Sequence, residues 1–487
     1  MEHPATNMPA KRPLHVVMLA TPGMGHLIPL AELAKRLVHR HGATATLITF
    51  ASTASATQRA FLASLPPSIA ALTLPPVDLS DLPPAATDVV TLMSEECARS
   101  VPALTEILVG LRETTRLAAF VADPFGTDSF DAARDAGVEG RYIFFPSNLL
   151  ALTLLLHLPE LDATVAGEFR DLAEPVRLPG CVPIPGQVLP LEDRSSTCYA
   201  WTVHHAKRYR EAKAIIVNSF DAVEPEATTV LRRREPGRPP VYNVGPLILS
   251  NGSSNQASAA THLSSSSPRA ACLEWLDRQP ARSVIFVSFG SGGALPLEQM
   301  RELALGLELS GQRFLWVVRS PSDEGTVNSS SYYYDAESKR DPVAYLPEGF
   351  VERAKDIGFL VPSWAPQTEV LAHEATGGFL THCGWNSTLE SLAHGVPMVA
   401  WPLYAEQRQN AMMLAEGIGA AIRVPDAKGK NEIAAVVKEL IAGTGMGAAV
   451  RAKVVELQKA AVEGLLDDGV STNALAEVVE RWACEEI

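Results

Sequence analysis

No two of the six cysteines in this 487-residue chain stand as a CxxC pair; Cys97, Cys181, Cys198, Cys272, Cys383 and Cys484 follow no regular spacing. A disulfide framework is thereby set aside, and reduced thiols in a cytosolic protein are expected. Long basic runs are also missing: 41 Lys and Arg stand against 55 Asp and Glu, a formal net charge of −14. Nucleic acid and anionic membrane surfaces are therefore not expected partners. The opening stretch "MEHPATNMPAKRP" lacks an apolar h-region, so no signal peptide is expected. The longest apolar run, Leu149 to Leu158, is about half the roughly 20 residues a membrane helix needs, and no membrane insertion is expected.

What is present is a composition ordinary for a globular enzyme, 47% hydrophobic and 20% charged. The length exceeds one comfortable core and predicts two domains. The Ser/Ala/Asn-rich stretch 250–268 reads as a linker between an N-terminal domain over 1–249 and a C-terminal domain over 269–470. Each half alternates short β-branched runs with amphipathic stretches. "LHVVMLA", "ATATLITF", "LAAFVAD", "GRYIFF" and "AIIVNSF" are strand candidates in the first half. "SVIFVSFG", "RFLWVVR", "GFLVPSW", "GGFLTHC", "PMVAWP" and "GAAIRV" are those of the second. The order predicts an α/β protein, a doubly wound parallel sheet built twice. Residues 320–345 form a polar, aromatic stretch too long for a simple connector and read as a lid.

Open α/β sheets bind ligands beyond the carboxyl ends of their strands. That rule selects residues 21–26, Asp123, Gly290 to Gly293, Trp364, His382 to Ser387 and the residues after Trp401. In "THCGWNSTLES", Gly384 turns the chain, and Asn386 or Ser387 is expected to cap the following helix. Free N–H groups, small polar side chains and His382 then converge as at a phosphate or diphosphate site. Glu390 lies one turn deeper on the same face, suited to a ribose diol. Trp364 can present its ring to a flat base, Gln367 can reach a ribose hydroxyl, and Glu406 with Gln407 suit a polyol. A capped helix with solvated acids and a core tryptophan would fit these stretches equally well in isolation. His26, in "TPGMGH", is either an ordinary polar residue of a first helical turn or a base at a cleft mouth. Asp123 ends a strand and can reach it. No DxD or HExxH pattern occurs, and "FGSGG" completes neither GxSxG nor GxGxxG, so no metal, nicotinamide or covalent-serine chemistry is expected.

The run "WAPQTEVLAHEATGGFLTHCGWNSTLESLAHGVPMVAWPLYAEQ" from Trp364 to Gln407 resembles the signature box of plant secondary-product UDP-glycosyltransferases. "TPGMGHLIPL", "ADPFGTD", "LPGCVP", "VYNVGPL", "CLEWLDRQP" and "VSFGSGG" extend the likeness over the chain, nearest to the hydroquinone and phenol glucosyltransferase subgroup. The resemblance implies a GT-B fold of two facing Rossmann-like domains, with the final helix, 471–487, crossing back onto the first. It implies UDP-glucose as co-substrate with no resident cofactor, a small phenolic acceptor, and a monomer. Trp364 and Ala365 would hold uracil, and Gln367 and Glu390 the ribose. Ser291, His382, Asn386 and Ser387 would contact the diphosphate, with the helix start from Gly384 to Ser387 and His382 helping to neutralise it. Trp385, Glu406 and Gln407 would hold the sugar, and Thr21 and Tyr404 would also bind the donor. His26 would be the base, oriented by Asp123, with Phe125 as an acceptor wall. An epimerase of the same fold and a catalytically silent UDP-sugar-binding protein are the alternatives. An aniline nitrogen is a further acceptor class.

Overall fold

The computed structural model describes residues 12–83, 86, 88–191, 193–233, 235–249, 268–322 and 341–484. Most of the Ser-rich linker and of the expected lid, 250–267 and 323–340, lies outside the described residues.

Seven strands come from the first half: β1 (Leu14–Leu19), β2 (Thr44–Phe50), β3 (Ile69–Leu74), β4 (Arg116–Ala122), β5 (Arg141–Phe145), β6 (Ala214–Val217) and β7 (Val241–Asn243). They form one parallel sheet in the order β3-β2-β1-β4-β5-β6-β7. The second half supplies β8 (Val284–Ser288), β9 (Arg313–Val318), β10 (Gly358–Pro362), β11 (Thr376–Thr381), β12 (Met398–Ala400) and β13 (Ala421–Arg423). These make a second parallel sheet, β10-β9-β8-β11-β12-β13. The sequence pattern had marked all but β3 and β7. Both are edge strands of the first sheet; β3 buries only its two ends fully, and β7, though buried, is three residues long, too short to stand out as an apolar run.

Burial on both faces explains why the central strands read as unbroken apolar runs. Val16 and Met18 of β1 enter one apolar cluster, while Val17 and Leu19 enter the cluster on the opposite face. The same alternation runs through β4, β5 and β6. A third cluster fills the second half and extends into Leu150, Leu154 and Leu158 of the helix Leu149–Thr164, so apolar packing is continuous across the two halves. The helices Lys430–Ala442 and Gly445–Gly464, bent by 54° to each other, pack Val437, Leu440, Val454 and Leu457 into that cluster. Among the described residues no single helix is long and apolar enough to cross a membrane.

In each sheet the strand order reverses once, between β1 and β4 and between β8 and β11. Such a switch point opens a crevice because the connections on either side leave in opposite directions. The segments carrying His26 and Asp123 follow β1 and β4. Those carrying Gly290 and His382 follow β8 and β11.

The last helix, Val470–Cys484, leaves the second half and lies on the first sheet, burying Leu475, Val478 and Trp482. Trp482 meets Tyr142 edge-on at 5.7 Å, and Tyr242 donates its hydroxyl to Glu477 at 2.8 Å. Trp482→Ala is expected to cost about 3–5 kcal/mol, as for other large-to-small changes in a core. It should show in urea as an earlier transition of the first half, and an unmoved transition would mean that the helix contributes no stability there.

Candidate active site

Gly23, at φ 112°, turns the chain after β1, and the helix Met24–His41 begins one residue later with His26 in its first turn. Asp123 is the first residue past β4. Because Leu19 pairs with Ala122 and the Asp123 N–H donates to Leu19 at 3.2 Å, strand register alone delivers Asp123 beside that turn. His26 Nδ1 lies 2.7 Å from Asp123 Oδ2. The other carboxylate oxygen accepts the Thr21 hydroxyl at 2.5 Å and the Phe125 N–H at 3.4 Å. Asp123 is fully buried, whereas the His26 side chain retains 19% of its exposure. With Nδ1–H committed to the carboxylate, neutral His26 carries its lone pair on Nε2. Burial by itself would lower its pKa; the attraction and hydrogen bond of Asp123, with the charge of Glu406, outweigh it and leave His26 above the usual histidine value. The Phe125 ring stands 5.9 Å from the imidazole at 52° and is half-buried. By donating its hydroxyl to Asp123, Thr21 steadies the carboxylate.

On the facing sheet, three non-glycine residues in the left-handed region each directly precede a site segment: Ser363 (φ 66°) before Trp364, Cys383 (φ 64°) before Gly384, and Ala405 (φ 51°) before Glu406. Strained backbone of this kind concentrates at functional sites because it aims the next residue where relaxed backbone would not. No residue type announced it in the sequence. The turn leaves Trp364 with 65% of its surface exposed, a large apolar ring in water, while Ala365 beside it is buried. Gln367 donates through Nε2 to Ser387 at 2.9 Å and to Glu390 at 2.7 Å, joining the expected ribose pair to the helix start. Burial raises the Glu390 carboxyl to about 7, against hydrogen bonds from Gln367 and Thr368 that favour its ionised form.

His382 is buried, and desolvation takes its pKa down to about 4. With no anion beside it, His382 is neutral at physiological pH and offers an N–H. Its Nδ1 is buried with no hydrogen-bond partner. Asn386 and Ser387 do not cap the helix Trp385–Ala393; the N-cap is Gly384, in extended backbone without a side-chain bond, which places both residues inside the first turn. Asn386 donates instead to the Gly25 carbonyl at 2.8 Å, while its Oδ1 is buried without a partner. Trp385, expected at the sugar, is buried and gives its indole N–H to the Asn218 carbonyl at 2.6 Å. Its side chain therefore joins the two halves, and only its backbone faces the helix start. Gln407 accepts the N–H groups of Leu403 and Tyr404 at 3.0 and 3.1 Å, which fixes the orientation of its amide. Glu406 is raised by burial, opposed in part by the charge of His26, so the two side chains belong to one electrostatic neighbourhood.

Ser291 is exposed on the loop after β8. Arg319, which the sequence reading passed over as the end of a strand, holds that loop by donating to the carbonyls of Gly290 (3.2 Å) and Ser291. Among the described residues one cluster has metal-ligand convergence, Asp128 with His204 and His205. Both His205 nitrogens are occupied by the Ser94 and Thr127 hydroxyls, and Arg208 pairs with Asp128 at 3.0 Å, so a cation there would be opposed.

Gly290 adopts φ 74°, and a Cβ on it would sit 2.7 Å from the His382 ring. Gly290→Ala is thus expected to weaken nucleoside-diphosphate binding by about tenfold or more, the equivalent of 1–3 kcal/mol of backbone strain. Calorimetric titration with UDP checks this, and unchanged affinity would mean that the loop does not touch the ligand.

Comparisons with known proteins agree with this geometry. The family described as "UDP-glucoronosyl and UDP-glucosyl transferase" matches residues 255–448. The chain is 50% identical over 480 residues to UDP-glycosyltransferase 72B3 of Arabidopsis thaliana, covering 97% of this chain and 96% of that protein. It is 48% identical over 476 residues to hydroquinone glucosyltransferase of Rauvolfia serpentina, covering 96% and 97%. Among solved structures it resembles a UDP-glucosyltransferase from Polygonum tinctorium capable of glucosylating indoxyl, in complex with 3,4-dichloroaniline (TM-score 0.86, 46% identity, 97% and 99% covered). The two facing parallel sheets are the GT-B fold, and the chain belongs to the UDP-glycosyltransferase family.

Proposed function

We propose that this enzyme transfers glucose from UDP-glucose to the hydroxyl of a small phenol of the hydroquinone class, with inversion at the anomeric carbon. The observation that carries the reading is the 2.7 Å contact between His26 Nδ1 and the buried Asp123 carboxylate, at the switch point facing the donor segments. The 48% identity to a hydroquinone glucosyltransferase favours the phenolic acceptor.

The chemistry follows from the pKa values. An ordinary phenol at about 10 and an ordinary histidine at about 6.5 differ by some 3.5 units, so with His26 raised the gap against full proton transfer before attack is smaller than roughly 5 kcal/mol but still unfavourable. Deprotonation therefore accompanies bond formation. The phenol oxygen bonds to the anomeric carbon as its proton passes to His26 Nε2, and the bond from that carbon to the UDP oxygen breaks with its electron pair. Asp123 stabilises the imidazolium as it forms, the division of labour of a Ser-His-Asp triad with the acceptor in place of serine. The departing diphosphate meets the peptide N–H groups at the start of Trp385–Ala393, whose partial positive charge suits an anion. One displacement inverts the centre, so an α-linked donor yields a β-glucoside. Aromatic amines are a second acceptor class, supported by the dichloroaniline in the related structure; the uncharged nitrogen needs no base before attack.

His26→Ala is expected to lower kcat about 10²–10⁴-fold, the usual worth of a positioned base. UDP affinity should stay within about threefold, since transition-state and ground-state interactions separate this way. Glucoside formation followed by mass-resolved chromatography with EDTA present measures the first, and calorimetry the second. An undiminished variant would make His26 a structural residue, and loss of product in EDTA would overturn metal independence.

The pH dependence has a definite sign. His26 works as the neutral base and its pKa is raised, so kcat/KM rises with pH and levels off, with an acid limb centred above about 6.5. An acid limb centred below that value would mean that Asp123 does not govern the titrating group.

A further inference from the structure

A chain of buried side-chain hydrogen bonds crosses between the two halves and takes no part in the chemistry above. Asn148 caps the helix Leu149–Thr164, its Oδ1 accepting the Ala151 N–H at 2.8 Å. Its Nδ2 donates to Oδ1 of Asn410 at 2.6 Å, and Asn410 Nδ2 donates to the Cys383 carbonyl at 3.0 Å. Both asparagines are fully buried. The polarity of this chain admits one arrangement, because an N–H at one end can only donate and a carbonyl at the other can only accept.

The cap itself does not require an amide. Glu224 already accepts the Leu149 and Leu150 N–H groups at 2.9 and 2.7 Å, and any side-chain oxygen at position 148 would serve Ala151. Of the good capping residues, only asparagine caps with one atom and donates outward with another. The outward bond reaches Asn410, one helical turn beyond Glu406 and in contact with its carboxyl. Beyond it lies the carbonyl of Cys383, the left-handed residue from which the donor turn starts. Trp385 on the Asn218 carbonyl and Asn386 on the Gly25 carbonyl are two further ties between the halves. With the asparagine bridge they give three attachment points, enough to remove rotation of one sheet against the other.

We propose that the Asn148–Asn410 bridge is a positioning device for glycosyl transfer, holding the donor turn and Glu406 at a set distance from His26. Neither asparagine touches a reacting atom. The inference rests on the transferase reading above and adds to it the residues that keep donor and acceptor in register.

The test is Asn148→Ser in the full-length protein, which keeps a capping oxygen and deletes the outward donor. UDP affinity by calorimetry, glucosylation of hydroquinone, and glucose released from UDP-glucose by water are measured together with the thermal midpoint. The expected result is a transfer kcat lowered about 10–100-fold by misplacement, with UDP affinity within about threefold of wild type. Free glucose should rise relative to glucoside, as water competes for a donor no longer aligned with the acceptor. Asn148→Asp, which also caps but turns a second acceptor toward Asn410, should lose at least as much. Wild-type turnover in Asn148→Ser would overturn the proposal. So would losses of activity, UDP affinity and thermal midpoint in step, the signature of a bridge that only stabilises the fold. Wild-type enzyme that binds UDP yet leaves hydroquinone untouched would count against the phenol reading alone, and the same comparison then runs on 3,4-dichloroaniline.

Discussion

The hydrogen bond from Asn386 to the Gly25 carbonyl, 2.8 Å long, joins the first turn of the donor helix to the bend that carries His26. Apolar packing runs on from one half into the other, yet transfer needs a nucleophile and an anomeric carbon within about 3–3.5 Å, and misplacement by 1 Å costs about 10²-fold. Apolar packing between domains does not provide that precision, because it is non-directional. Directional bonds at the cleft floor do, and here they run from side chains to backbone: Asn386 to Gly25 and Trp385 to Asn218. A backbone carbonyl keeps its position through the whole strand or turn to which it belongs, so each bond reports the placement of an element rather than of one rotamer.

The site stores unfavourable free energy that the rest of the molecule offsets. Ser363, Cys383 and Ala405 hold left-handed backbone at about 1–3 kcal/mol each. Asp123 and Glu390 are buried acids, and His382 Nδ1 and Asn386 Oδ1 are buried without partners. Elsewhere such groups would be faults in a core. At strand ends, over three continuous apolar clusters, they form a polar surface already oriented before a ligand arrives. Preorganised dipoles stabilise developing charge without the cost of reorienting during reaction.

Electrostatics of the cleft differ from what a donor with a diphosphate would suggest at first sight. The protein carries −14 overall, and His382 is held neutral by burial, its pKa about 4. Under the proposed transfer the anion meets peptide N–H groups at a helix start and the loop that Arg319 grips through two carbonyls. In the proposed mechanism the cationic state of His26 forms only as the phenol proton arrives, beside Asp123 and Glu406, both of which favour it.

Much of the architecture was legible in the sequence because the strands are buried on both faces and write themselves as apolar runs; only the edge strands β3 and β7 escaped. The site segments were legible for a related reason: every one directly follows a strand, and the rule that ligands bind at carboxyl ends needs no coordinates. Spacing along the chain also placed Glu390 one turn below Asn386. What the sequence left open was direction. A tryptophan side chain in the signature box can stack on a ligand or anchor a domain; Trp364 is exposed while Trp385 is buried and bonded to Asn218, and nothing local distinguishes them. The same holds for Thr21, which turned to Asp123, and for Asn386, which reached a carbonyl 361 residues away instead of capping its own helix. Residue types and periodicity are local and determined the elements, their order and the chemistry available. Hydrogen-bond partners across the cleft depend on how two separately formed sheets dock, and only tertiary structure decided those.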